Sequence, residues 1–218
     1  IKTPKILAFV KCGDRYGLIY ERLVGKKSFG KLCHDDPEHI EDYAKIFAKE
    51  LAKLHSIKCD KKEMRSRKKE LLKTISPYKE EPLKEKCVQY INDMKDVNTI
   101  IHGDASLGNL LMVGKKTYWI DMGTMMCSDP IYDLGILYLS YTFLIKLKYV
   151  QEVFHVNEKQ ANIFCEVLFE EYAKIVKKDK DELIRDAKKR GVSVRQHIIP
   201  SRSFFVFFIF IYSYKLFD

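Results

Sequence analysis

The stretch "IIHGDASLGNLLMVGKKTYWIDMG", from Ile100 to Gly123, limits the possible folds more than any other part of the chain. "NTII", "NLLMV" and "TYWIDM" are short apolar runs of strand character, "HGDASLG" is a loop between them and "GKK" is a turn. The last two runs therefore form a hairpin. Asp104, Asn109 and Asp121 fall at the end of the hairpin away from its turn. A hairpin of this kind can bring Asn109 and Asp121 side by side, with Asp104 at the same end. Three hard oxygen-bearing groups in one place suit Mg²⁺, which takes one or two carboxylates together with substrate phosphates. A carboxylate not needed by the metal can orient a hydroxyl and accept its proton. That is minimal equipment for moving a phosphoryl group, by positioning and charge neutralisation. Asn and Asp are also favoured turn formers, so a purely local role for Asn109 and Asp121 is the alternative.

The rest of the chain can build a core around this hairpin. It has 218 residues, of which 46% are apolar, and no low-complexity segment. A folded globular protein follows, not a disordered one. The formal net charge of +9 suits anionic ligands but does not bear on fold. The most charged segment, "KCDKKEMRSRKKELLK", reads as a solvated helix face. No aromatic residues interleave its lysines, so a nucleic-acid surface is not expected. The six cysteines are scattered, with no C-x-x-C pair. This speaks against a zinc ribbon or a disulfide framework and for a reducing, cytoplasmic home. Cys33, His34 and His39 in "CHDDPEH" lack a second ligand pair for zinc. The apolar tail "SFFVFFIFIYSY" falls short of the ~20 residues a spanning helix needs. It is expected to be a core element, with no membrane contact.

Along the chain, "PKILAFVKCGDRYGLIYERL" reads as a hairpin turning at "CGDR", and "VGKKSFGKLCHDD" as a linker. Asp36 and Pro37 then open a helix whose Ile40, Tyr43, Phe47, Leu51 and Leu54 share a buried face. Leu83, Cys87, Val88, Ile91 and Met94 mark a second amphipathic helix. "DLGILYLSYTFLIKL", apolar on all sides, is a central helix. Asp129-Pro130 is a helix start, and Asn157 with Gln160 forms a capping-box-like start to "EKQANIFCEVLFEEYAKIV". The order of hairpin, helices, small sheet and helices is an α+β plan with mostly helical bulk.

"HGDASLGNLL", "WIDMG" and "DPIYDLG" together resemble the aminoglycoside phosphotransferase and choline kinase family, relatives of the protein kinases. Protein kinases carry H-R-D with an asparagine five positions after the aspartate, and later D-F-G. Here His102, Gly103, Asp104, Asn109, Asp121 and Gly123 stand at the matching places. Upstream, "TPKILAFVKCGDRYGLIYERLVGKKSF" looks like the fourth and fifth strands plus the hinge. "FAKELAKLHS" looks like the helix that ends in a leucine–histidine pair, here with His55. The resemblance weakens after the helix that starts near Asp133.

This resemblance implies a protein-kinase-like fold. Residues 1–23 would be the remnant of an N-terminal lobe with its hinge, and 24–218 a helical C-terminal catalytic lobe. Asp104 would be the catalytic base, and Asn109 and Asp121 the Mg²⁺ ligands. The backbone of Glu21 and Leu23 would meet adenine. Asp133 would brace the catalytic loop by accepting backbone N–H bonds, with His102 a structural member of that loop. The implied cofactors are ATP, or another nucleoside triphosphate, and Mg²⁺. The implied partners are that nucleotide and a small-molecule alcohol. The glycine-rich loop and third-strand lysine of a complete kinase are not found in the sequence. A nucleotide-binding pseudokinase or inactive fragment is therefore the alternative to an active phosphotransferase.

Overall fold

The structure is a computed structural model that describes residues 1–60, 64–77, 81–93, 95 and 97–198. Two strands open it, β1 (Ile6–Cys12) and β2 (Arg15–Tyr20), paired antiparallel from Ile6–Tyr20 to Cys12–Arg15. Gly13 turns the chain between them at φ +59°, a conformation without penalty for a residue lacking Cβ. Every residue of this ribbon is exposed except the half-buried Ala8. Just before it, Lys2 O accepts from Trp119 N at 2.9 Å.

The segment read as a linker is structured. It holds β3 (Lys27–Ser28) and α1 (Phe29–Asp35), with Ser28 Oγ accepting from Lys31 N to cap the helix. Its lysines suggest a solvated linker, but Phe29 and Cys33 are fully buried on one face. Gly30 passes so close to Phe154 that a Cβ would sit 2.1 Å from its carbonyl oxygen. Burial pushes the Cys33 thiol up to about 12, which leaves it an inert core group.

A 3₁₀ turn at Pro37–His39 leads into α2 (Ile40–Ser56). Asp36 does not cap it. Its carboxylate instead accepts from Tyr43 Oη at 2.9 Å and pairs with His39 Nδ1 at 2.8 Å. Ile40, Phe47, Leu51 and Leu54 are buried as their spacing requires, and Tyr43 is half-buried. After α3 (Arg67–Ile75) and α4 (Glu81–Asn92) come β4 (Ile100–Ile101), β5 (Leu110–Val113), β6 (Lys116–Trp119) and β7 (Met126–Cys127). β5 is the middle strand between β3 and β6, while β4 pairs with β7.

The remaining helices are α5 (Ile131–Thr142), α6 (Lys148–Phe154), α7 (Glu158–Val176) and α8 (Lys180–Ile198). Asp129 Oδ1 accepts from Ile131 N at the start of α5. The full capping box of Asn157 and Gln160 starts α7. α2 packs on α7, and α5 on both α7 and α8. Phe47 lies at the centre, edge-on to Phe29, Trp119 and Phe164 at ring-centroid distances of 5.8, 5.4 and 5.5 Å. Each such ring contributes about 1.5–3 kcal/mol by burial, so this cluster anchors the lobe.

Cys59 and Cys127 form a disulfide, against the expectation that the cysteines are unbridged. Their 68-residue separation hides the pairing in the sequence, and the contact of Ile57–Cys59 with Asn98–Ile100 creates it. Among the described residues no helix is long and apolar enough to cross a membrane. The apolar tail lies outside the described residues, as does Met94, and nothing here bears on the side chains of Leu83 and Cys87.

Candidate active site

β4 ends at Ile101, and the chain then turns sharply through His102, Gly103 and Asp104. Asp133, in the first turn of α5, reaches this turn from below. Its Oδ2 accepts from His102 N at 2.7 Å and its Oδ1 from Gly103 N at 2.9 Å. His55, at the end of α2, adds an Nε2 contact to the same Oδ2 at 3.1 Å, and its Nδ1 meets Tyr172 Oη at 2.7 Å. Asp133 is fully buried and His55 nearly so. Burial alone would push the Asp133 carboxyl up. The His55 hydrogen bond, favourable electrostatics from His55 and His102 and the His102 N–H together outweigh it and hold the group below the usual carboxylate range.

His102 is itself bonded on both ring nitrogens. Nε2 lies 3.0 Å from Ile120 O, and Nδ1 accepts from Asp104 N at 3.2 Å. Those partners fix one neutral tautomer, with its proton on Nε2. A fully buried ring used at both ends is a spacer between the loop and the end of β6.

Asn109 closes the loop. Its Nδ2 donates to Asp104 O at 2.8 Å and to Asp104 Oδ2 at 3.0 Å, and it is buried. Asp104 therefore has a carboxylate oriented by Asn109 and a backbone oriented by His102. The amide nitrogen of Asn109 is committed to Asp104, and of its two amide atoms only Oδ1 has the lone pairs a cation needs. Ser106 Oγ, within the same loop, is buried with no partner among the described residues.

The hairpin register places Leu110 opposite Trp119, and Ile120 N donates to Asn109 O. Asp121 comes one residue later, outside β6. It is exposed, with φ 58° and ψ 43°, and leads into a 3₁₀ turn at Met122–Thr124. That left-handed backbone is several-fold enriched in Asp and Asn. It turns the segment onto the loop, where Thr124 Oγ1 donates to His102 O at 2.9 Å. The approach is so close that a Cβ on Gly103, at φ +83°, would lie 2.4 Å from Thr124 O. Only glycine fits after His102.

Among the described residues no three His, Cys, Asp or Glu side chains gather as a metal cluster, Cys33, His34 and His39 included. Asn109 and the carboxylates of Asp104 and Asp121 carry the hard oxygens that could hold a Mg²⁺ together with phosphate and water. In the opening ribbon, Glu21 N donates to Lys5 O and Glu21 Oε1 accepts from Lys5 N, both at 2.9 Å. The N–H of Glu21 is thus used inside the ribbon, and its carbonyl is the group that can meet a base. Leu23 is half-buried beside it.

Sequence reasoning marked Asp104, Asn109, Asp121, His102 and Asp133 by motif. It missed Tyr172, Thr124 and Arg65, whose guanidinium donates to Gly123 O at 2.5 Å. None of these carries a local signal; Tyr172 meets His55 across 117 residues of chain.

A family model described as the phosphotransferase enzyme family matches residues 1–161. No curated protein matches the chain. The crystal structure of an aminoglycoside-3'-phosphotransferase of type VIII is similar at a TM-score of 0.57 and 16% identity, over 87% of this chain and 74% of that one. A thermostable mutant of the aminoglycoside phosphotransferase APH(4)-Ia, in its apo form, gives 0.50 and 13%, over 90% of this chain and 78% of that one. At these identities the likeness is one of fold.

Proposed function

The chain belongs to the phosphotransferase enzyme family and has its kinase-like α+β fold, and from that premise we propose that it moves the γ-phosphoryl group of ATP to a hydroxyl of a small molecule. The observation that carries this reading is the Asp104–Asn109 pair. A carboxylate is held in place by an amide, at the edge of a loop braced from below by Asp133.

In this reading Asp104 orients the acceptor hydroxyl and takes its proton as the oxygen bonds to the γ-phosphorus. The bond from that phosphorus to the bridging oxygen breaks, and ADP leaves. Asn109 Oδ1 and the Asp121 carboxylate would hold Mg²⁺, which when bound neutralises charge on the phosphates. Glu21 and Leu23 would meet the base through their backbone. Residues 1–23 act as the hinge end of a nucleotide lobe, and 24–218 as the catalytic lobe. A cytoplasmic setting goes with ATP dependence. Cysteine usage no longer argues for it, since Cys59 and Cys127 are bridged.

The test is steady-state kinetics of Asp104→Ala with ATP, Mg²⁺ and a competent alcohol. Loss of a general base costs about 10²–10⁴-fold in rate. Nucleotide affinity, measured by calorimetry, stays within a few-fold of the parent. A variant that keeps most of its rate would remove Asp104 from the chemistry. A parent that binds nucleotide but transfers nothing would be a binding module instead.

A further inference from the structure

The candidate site has one flank whose charge the phosphoryl chemistry does not use. From position 58 to 73 the described residues carry six cations, Lys58, Arg65, Arg67, Lys68, Lys69 and Lys73, against two anions, Asp60 and Glu70, a local net charge of +4. That is close to half of the chain's +9 within a small part of its length.

The flank is attached directly to the site. Cys127 N donates to Arg65 O at 2.9 Å, and Ser66 runs parallel to Cys127 in a β-bridge. One turn earlier on the facing segment, Arg65 donates to Gly123 O at 2.5 Å. Gly123 stands between Asp121 and Thr124, and Thr124 is the residue bonded to His102 O. Arg65 is thus fixed at the 121–124 segment.

Two of the neighbouring cations are engaged elsewhere. Arg67 donates to Tyr132 Oη and lies 4.4 Å above that ring, and Lys68 Nζ donates to Asn92 O. The Arg65 side chain remains 56% exposed, and among the described residues its contacts are an ion pair to Glu70 at 3.3 Å and the Gly123 bond. A surface pair of that kind is weak and easily exchanged. A half-exposed guanidinium oriented by one backbone carbonyl, whose other contact is an exchangeable surface pair, can turn that pair over to an incoming carboxylate or phosphate.

We infer that the acceptor is an anionic alcohol, bearing a carboxylate or phosphate ester besides its hydroxyl, and that Arg65 is the specificity-determining residue that receives the anion. The inference rests on the phosphotransferase reading above and names its substrate class. A cationic alcohol would meet the same flank with like charge and be repelled.

The anion bound by Arg65 can come from the acceptor or from the nucleotide phosphates, and calorimetry separates the two. D-glycerate, glycerol and choline are alcohols of similar size carrying charges of about −1, 0 and +1 near neutral pH. Each is titrated into the parent, Arg65→Ala and Arg65→Gln, with and without Mg²⁺ and a non-hydrolysable ATP analogue. The expected result is glycerate binding at least about 10-fold tighter than the other two, lost by about 10-fold or more in both variants, with analogue affinity unchanged. Arg65→Gln keeps a donor for Gly123 O, so it carries the test if the alanine variant does not fold. Equal binding of the three alcohols, a preference for choline, or no binding of any overturns the inference. So does a loss confined to the nucleotide analogue. Glycerate that binds through Arg65 but is not phosphorylated by ATP, followed by phosphorus NMR, would leave the inference standing and remove the phosphotransferase reading.

Discussion

The loop 102–109 and the segment 121–124 touch at Gly103 and Thr124, but they are held by opposite means. The loop is largely buried and braced by several hydrogen bonds. Asp133 takes two of its backbone N–H groups, His102 spans to Ile120, and Asn109 ties Asp104 down. The segment presents Asp121 to solvent on a left-handed backbone and is fixed by few bonds. A catalytic base gains from rigidity, because misplacement of a reacting group is costly. In the proposed reading Asp121, unlike the buried Asn109, would take and release the cation from an exposed position. The two regions therefore predict different mutational signatures: stability effects on the loop side, binding effects on the segment side.

The largest effect is expected from Asp133→Ala. It strands two backbone N–H groups and His55 in the interior, and breaking a buried pair of this kind costs about 3–5 kcal/mol. Denaturant unfolding should show a midpoint shift of that size, and a shift near zero would mean that the loop is not held from below. pH sharpens the point. The folded carboxyl lies below its unfolded value, so its stabilisation is complete above about pH 4 and fades as pH falls through the lower folded value. Asp133→Asn should flatten the acid side of the stability curve. An unchanged acid limb would show that other carboxylates set it.

Gly103→Ala comes next and probes the contact itself. The new methyl would collide with Thr124 O on a backbone that already disfavours it. A loss of about 3 kcal/mol is expected, at the upper end for overpacking and backbone strain. Full stability together with full activity would mean that the segment can lift from the loop freely.

Tyr172→Phe removes only the far end of the bracing chain. His55 Nδ1 then lacks its buried partner, for about 1–2 kcal/mol. Thermal unfolding measures it, and acceptor kinetics should barely move. A large fall in kcat with no change in stability would place Tyr172 nearer the chemistry than its burial suggests.

The smallest stability change belongs to Asp121→Asn. Asparagine tolerates the same left-handed backbone, so the unfolding midpoint should stay put. Affinity for the Mg²⁺–nucleotide complex should fall more than affinity for nucleotide alone. Equal losses in the two titrations would make Asp121 structural and erase the contrast between the regions.

Much of the frame could be read from the sequence. The spacing of Ile40, Phe47, Leu51 and Leu54 gave α2, and Asn157 with Gln160 gave the start of α7, because those signals are local and periodic. The β5–β6 hairpin followed from its turn. α1 was hidden because seven residues hold barely two turns and lysines surround its two buried side chains. Asp36 misled because a good capping residue has other uses, here Tyr43 and His39. Within the candidate site, the positions of Asp104 and Asn109 were legible from a five-residue spacing. The His55–Tyr172 link, the Arg65–Gly123 bond and the Cys59–Cys127 bridge were not. Each joins residues at least 58 positions apart through packing that no short pattern encodes.

Trp119 gives the molecule a built-in lamp. It is the chain's only tryptophan, fully buried, with its ring 5.1 Å from that of His102 and two residues before Asp121. Its indole N–H has no partner among the described residues, so its emission answers to whatever dipole or charge approaches. Light excited selectively from tryptophan thus comes from one place, the seam between the braced loop and the exposed segment. Events at that seam can be followed in real time without attaching a dye, and other parts of the protein contribute no tryptophan background.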